Sequence, residues 1–544
     1  MKRALLLLLV ACGGPAKPAP VAAPPPVADQ GPVMPTPPPA PTSVSQTAQP
    51  QELAFPNEDF RAKQPEPGPV RPFTLPAMKQ FALPNGIHVY LVEQHTLPLV
   101  SMDLNFDGGS LTDPHGKEGL ASVCAAMLTE GTQKLDKIQY SEALADTAST
   151  ISAYAGDDSQ GLGLSSLTKH LPATFELFVD TLRTPGLRQS DLDRMIKRRI
   201  EAVKQARATP AQIPGRVQDV VLYGPDHPFG KVTTEDSLAK ITLDDCKKQL
   251  AAWIQPKNAR LFVVGDLTEQ QIRDTFKPLD GWKGSAPHLP ALPKPKTMTG
   301  RIFFIHVPGA AQSTVMLLEH GPVRTAPDYW ANTMMAGVFG GSFTSRLNMN
   351  LREDKGYAYG ARGGLSYTRT YGALSATAQV QTDSTYQTML EIDHELKDLW
   401  AGKKPVTKEE LEREKLNATL ALPGKFATAQ AALGQYRSLV YYGLPLDYFN
   451  SYVEHVNKVG EADVKKSAAQ HLTPAGAVYL VVGDGDAKMI VDDPKQAKDK
   501  RRQPYLGKDG TQITLRQALK DLATRGDVGA GGFVELDVDG KPVH

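Results

Sequence analysis

The stretch ARLFVVGDLTEQ, Ala259 to Gln270, recurs in the second half of the chain as AVYLVVGDGDAK, Ala477 to Lys488. Each copy is an apolar run ended by Gly-Asp, and each follows a comparable element of similar length. One is YGPDHPFGKVTTEDSLAKITLDDCKKQLAAWIQPKNA; the other is YYGLPLDYFNSYVEHVNKVGEADVKKSAAQHLTPAGA. Upstream, LVSMDLNFDGGS alternates apolar and polar residues before the Gly108-Gly109 break. In the second half RIFFIHV and STVMLLEHG lead to a helix from about Asp328 and a Gly340-Gly341 break. A repeat of this length means one supersecondary plan used twice. The sequence therefore predicts an α+β fold of two homologous domains in tandem, at 74–285 and 298–490. A Pro-punctuated linker, 286–297, joins them, and 491–544 is a C-terminal extension without a counterpart in the first half.

The chain has 544 residues, enough for each domain to own a core. Sixty Lys and Arg stand against 59 Asp and Glu, a net charge of +1, which argues against a nucleic-acid partner. The basic run RMIKRR, Arg194 to Arg199, reads as a solvated helix face. MKRALLLLLVACGG places two basic residues before a short apolar run and small residues before Cys12. The run is too short to span a bilayer and reads as an export signal, 1–11. The residues before Cys12 resemble a bacterial lipobox, which implies cleavage there and a lipidated Cys12. Gly13 then points to the outer membrane, facing the periplasm; an ordinary signal peptide is the alternative. Residues 12–73, rich in Pro and Ala, form an extended tether. Of the three Cys, Cys124 and Cys246 remain for the folded part. Cys124 falls on an apolar helix face as a buried thiol, and whether it pairs with Cys246 is left open.

In GLASVCAAMLTEGT, Leu120, Val123, Cys124, Met127 and Leu128 repeat at i, i+3, i+4, i+7, i+8, the buried stripe of a helix. Gly119-Leu120-Ala121, Met127-Leu128 and Gly131-Thr132 resemble the frame around the inverted zinc motif His-x-x-Glu-His of peptidase family M16. That family includes insulin-degrading enzymes, pitrilysin and mitochondrial processing peptidases. Its two His sit one helix turn apart on zinc, and its Glu reaches the metal-bound water as general base. Here those positions hold Ser122, Ala125 and Ala126. The third ligand position falls near Ala202; Glu201 is adjacent but turned about 100° away. His115-x-x-Glu118 copies half the motif with Gly119 where a His belongs, and the remaining His are isolated. No metal is expected in this chain.

The second half reads VFGGSFTSRLNMNLREDKGYAYGARGG. Ser342 or Thr344 caps a helix that buries Phe343, Leu347 and Leu351, and a strand begins near Tyr357. This resembles the family's C-terminal signature, in which an Arg grips a substrate carbonyl and a Tyr seven residues later supports the oxyanion at a zinc site. Arg352 and Tyr359 match that spacing, with Tyr357 held in reserve on the same strand face if the strand is regular.

The resemblance implies a non-catalytic chain that cannot hydrolyse peptides alone. It would pair with a zinc-bearing M16 chain, which supplies the zinc, and lend Arg352 and Tyr359 to that partner's site for cleavage of unfolded peptides in the cell envelope. The alternative keeps the fold and drops catalysis, leaving an inactive scaffold or peptide-binding lipoprotein. An independent hydrolase finds no Gly-x-Ser-x-Gly elbow to support it.

Overall fold

The apolar runs become strands of two six-stranded sheets. The computed structural model describes Leu75 and residues 77–493, 495–496, 500–528 and 531–543, so the expected signal, Cys12 and nearly all of the tether lie outside the described residues. The first half contributes β1 (Lys79–Ala82), β2 (His88–Glu93), β3 (Leu99–Asp107), β4 (Thr150–Ala155), β5 (Ser159–Leu167) and β6 (Ala259–Gly265). The second contributes β7 (Ile302–His306), β8 (Gln312–Gly321), β9 (Ala358–Tyr367), β10 (Gly372–Gln381), β11 (Val478–Gly483), the short β12 (Ile490–Asp492) and β13 (Arg502–Pro504), and β14 (Phe533–Leu536).

The strand orders are β1-β2-β6-β3-β5-β4 and β14-β7-β11-β8-β10-β9. The sequence echo is thus an echo of topology. β6 lies between parallel β2 and antiparallel β3, and β11 between parallel β7 and antiparallel β8. The sheets differ at one edge. β1 folds back on β2 as a hairpin through Asn85-Gly86, whereas β14 arrives from the far end of the chain and runs parallel to β7. The 491–544 segment is therefore part of the second domain and no separate appendage. Its helix, Leu515–Arg525, buries Leu515, Ala518, Leu519 and Leu522 in the same core as β7 and β11.

Both faces of the central strands are apolar because both are covered. On β11, Tyr479 and Val481 face their own domain's helices. Val478, Leu480 and Val482 face the opposite way, onto Ile213, Val217 and Val221 of the Ile213–Tyr223 helix from the first half. The exchange is reciprocal. Val92, Phe262 and Val264 of the first sheet pack on Ala432, Leu433, Tyr436 and Leu439 of the Ala429–Tyr442 helix from the second half. Each Val, Leu, Ile or Phe among them contributes about 1.5–3 kcal/mol on full burial, so each domain holds part of the other's core.

Polar contacts close the same seam. Arg437 Nη1 donates to Asp103 Oδ2 at 2.8 Å, Arg369 Nη2 to Asp107 Oδ1 at 3.0 Å, and the Tyr441 hydroxyl to Asp158 Oδ2 at 3.0 Å. They border a cavity of about 570 Å³ lined by Asn105, Arg260, Arg369 and Arg437, whose three guanidiniums all hold carboxylate partners. Among the described residues, no helix is long and apolar enough to cross a membrane.

Cys124 and Cys246 form a disulfide. The expected buried thiol at Cys124 is instead a covalent tie between the Leu120–Met127 and Leu243–Trp253 helices. Pairing two cysteines 122 positions apart needed the tertiary contact of those helices.

Candidate functional site

The Leu120–Met127 helix begins at Gly119, whose φ of 101° suits glycine. Asp113 reaches back to cap it: its carboxylate accepts the N–H of Gly119 and of Ala121, both at 2.8 Å. Burial pushes that carboxyl up to about 6 against the pull of the two N–H donors. The predicted stripe of Leu120, Val123, Cys124, Met127 and Leu128 is buried. Ala125 is buried as well, while Ser122 and Ala126 are partly exposed.

The degenerate motif faces the long Gln189–Ala208 helix. From it Arg199 extends across: Nη1 donates to Ser122 Oγ at 3.0 Å, and Nη2 to the Ser122 carbonyl at 3.2 Å. The reading of Arg194–Arg199 as a wholly solvated face is corrected here. Arg194 binds Glu130 at 2.5 Å and Asp191 at 2.9 Å, and Arg199 is partly buried over the motif. A signal for this was present in the sequence. Leu192, Met195, Arg199 and Val203 follow i, i+3, i+7, i+11, so Arg199 shares the stripe of three residues that are buried.

Zinc does not fit this arrangement. A serine and two alanines offer no imidazole and no general base, and a guanidinium already places positive charge at the first ligand position. Glu201 points away, 62% exposed and paired with Lys204 at 2.9 Å. His115 is 95% exposed and lies 3.5 Å from Glu118. Elsewhere among the described residues, His306, Asp484 and Asp486 come together. There, His306 Nδ1 accepts the Gly485 N–H at 2.9 Å and Arg516 already pairs with Asp486 at 2.9 Å, so the group is satisfied as it stands.

In the second domain, Arg346–Asn348 opens a helix whose next turn, Met349–Asp354, widens to π geometry and carries Arg352. Leu347 and Leu351 are buried as expected. Phe343 is not: it is 62% exposed, and the Arg352 guanidinium lies 4.8 Å from its ring centroid. The helix starts at Ser345 without a side-chain cap, and the Ser342 hydroxyl donates to Glu414 instead.

Gly356, at φ 62°, ends the helix, and Tyr357 turns into the core at 2% exposure. Tyr359 stands out at 90%. The cause is a bulge. Ala361 pairs with Ala378 and Ala358 with Val380, so Tyr359 and Gly360 together oppose Gln379. The extra residue breaks the alternation, and Tyr357 and Tyr359 do not share a face. Tyr357, buried in the core, therefore does not reach the open face on which Tyr359 stands.

Arg352 has Glu353, at 3.3 Å, and Phe343 as neighbours. Among the described residues, no hydrogen bond, ion pair or ring contact joins Arg352 or Tyr359 to Ser122 or Arg199. The two signatures sit on separate domains, one plugged and the other open.

Comparison with known proteins finds a separate family match in each half of the chain. Residues 88–215 match the family described as Insulinase (Peptidase family M16), and residues 240–417 match the one described as Peptidase M16 inactive domain. The chain is similar to the non-peptidase homolog YmxG of Helicobacter pylori, at 21% identity over 403 residues, covering 73% of this chain and 92% of that protein. It is also similar to zinc protease PqqE of the same organism, at 23% over 293 residues, 52% of this chain and 65% of that one. Among solved structures, a peptidase M16 inactive domain from Pseudomonas fluorescens superposes with a TM-score of 0.69 at 23% identity, covering 76% of this chain and 98% of its own.

Proposed function

Since the chain belongs to peptidase family M16, as a non-peptidase member with no zinc ligands in its motif helix, we propose that it is the second subunit of a zinc peptidase. It pairs with a zinc-bearing chain of the same family and presents Arg352 and Tyr359 to that partner's metal site. The observation that carries this reading is the exposure of Tyr359, a large aromatic side chain turned to solvent by a bulge in an otherwise regular strand. Bulges that re-aim a side chain and π turns are both enriched next to functional sites. In the pair, Arg352 would hold a substrate carbonyl by charge-assisted hydrogen bonds, and the Tyr359 hydroxyl would donate to the developing oxyanion.

The substrates in this reading are unfolded peptides in the cell envelope, and Cys12 carries the lipid that holds the chain at the membrane. The Cys124–Cys246 disulfide supports an oxidising compartment of this kind.

The test is hydrolysis of a quenched, unstructured peptide by the full-length chain, alone and mixed with a zinc-bearing relative from the same genome. Activity is expected only in the mixture, where Tyr359→Phe lowers kcat by about 10²-fold and Arg352→Ala raises KM as well. A mixture no faster than the relative alone, with no complex formed, leaves a scaffold; activity of this chain by itself would overturn the reading.

A further inference from the structure

Arg199 is a partly buried cation without an anion. Its two recorded hydrogen bonds go to neutral oxygens of one residue, Ser122 Oγ and Ser122 O. Among the described residues, no carboxylate lies within ion-pair distance of it, although Arg194 and Arg198 on the same helix both have carboxylate partners. A guanidinium offers five N–H donors in a planar fork, and burying it without a counter-charge is unfavourable. Burial, reinforced by the neighbouring Arg198, correspondingly lowers its pKa, although an arginine stays charged at any physiological pH.

The surroundings deepen the imbalance. Arg194, Arg198 and Lys137 share the single carboxylate of Glu130, at 2.5, 3.9 and 3.5 Å, and Asp191 is shared between Arg194, at 2.9 Å, and Arg188, at 3.8 Å. This face therefore carries surplus positive charge around a guanidinium that still has donors to give. Ser122 adds a further donor, since no described acceptor takes its hydroxyl proton while its Oγ receives Arg199.

We infer that Arg199 and Ser122 form an anion site for a peptide carboxylate, standing where related chains hold a metal cation. The guanidinium N–H donors left free by Ser122, the Nε–H among them, meet the carboxylate oxygens, and the Ser122 hydroxyl donates to one of them. This goes beyond the pairing proposed above and does not require it, because the site lies wholly within this chain.

Binding is measured on the full-length chain alone with three fluorescent peptides of the same unstructured sequence. One lacks Asp and Glu and ends in a free carboxylate; the second is the same peptide amidated; the third is amidated with one internal Glu. The first is expected to bind about tenfold tighter than the second, the gain of a charge-assisted pair. The third separates a side-chain carboxylate from a terminal one. Arg199→Gln should erase the preference and Arg199→Lys keep part of it, with thermal unfolding as the check on folding. Equal binding of all three peptides, no binding of any, or a preference that survives Arg199→Gln overturns the inference. The first two outcomes are read on the unaltered chain, so they decide it even where a variant fails to fold.

Discussion

Arg199 Nη1 lies 3.0 Å from Ser122 Oγ, an arginine on the helix that should offer a third zinc ligand bonded to the residue that replaces the first. The first ligand position of the motif is thus occupied rather than vacant. An arginine of the neighbouring helix places positive charge there, and the two helices are joined by a hydrogen-bonded fork.

Rebuilding the ligands alone will accordingly fail. The variant Ser122→His/Ala125→Glu/Ala126→His/Ala202→Glu should purify with substoichiometric zinc, because Arg199 repels the ion and competes for the new carboxylates. Adding Arg199→Ala should bring zinc toward one per chain. Metal analysis of the two purified proteins decides it, and equal loading would show that Arg199 does not guard the position.

The disulfide closes a loop between cysteines 122 positions apart, and both are fully buried. Cys246→Ser is expected to cost about 2–5 kcal/mol, chiefly by enlarging the unfolded ensemble. Denaturant unfolding with and without reductant should show the unaltered chain falling to the variant's midpoint when reduced, and the variant indifferent to reductant.

Glu319 is 3% exposed in β8 and accepts hydrogen bonds from the Thr473 N–H and hydroxyl. Burial pushes its carboxyl from 4.5 up to about 7 despite those bonds. A folded pKa above the unfolded one means that the folded state binds the proton more tightly, so stability is lost as pH rises between the two values. Below about pH 4 both states are protonated and the group contributes nothing to the slope. Glu319→Gln can accept the same two bonds without a charge. It should flatten stability between about pH 4.5 and 7 and leave the chain about 3 kcal/mol more stable at pH 8 than the unaltered one, read by unfolding at each pH. A variant with the same pH slope as the parent would place the titration elsewhere.

Much of the fold was legible. The echo of Ala259–Gln270 in Ala477–Lys488 predicted two like domains, and the structure returns two sheets of like order. The helical period of Leu120 to Leu128 named the buried stripe correctly. Phe343 was misread because its spacing to Leu347 is helical, while the helix itself starts only after Ser345. A period says which residues share a face once a helix exists, and not where that helix begins.

What the sequence by itself determined is therefore local or repeated: the strands, the amphipathic faces, the absent ligands at Ser122, Ala125 and Ala126, and the spacing of Arg352 to Tyr359. Tertiary structure alone decided the rest, because each remaining feature depends on a partner far along the chain. The bulge that turns Tyr359 outward is set by its register against β10. The second sheet's edge is closed by β14, which comes from the far end of the chain. Each domain's outer face waits for a helix of the other. Arg199 looked like one more solvated arginine until packing brought it over Ser122, where burial turned an ordinary charge into one that needs a counterpart.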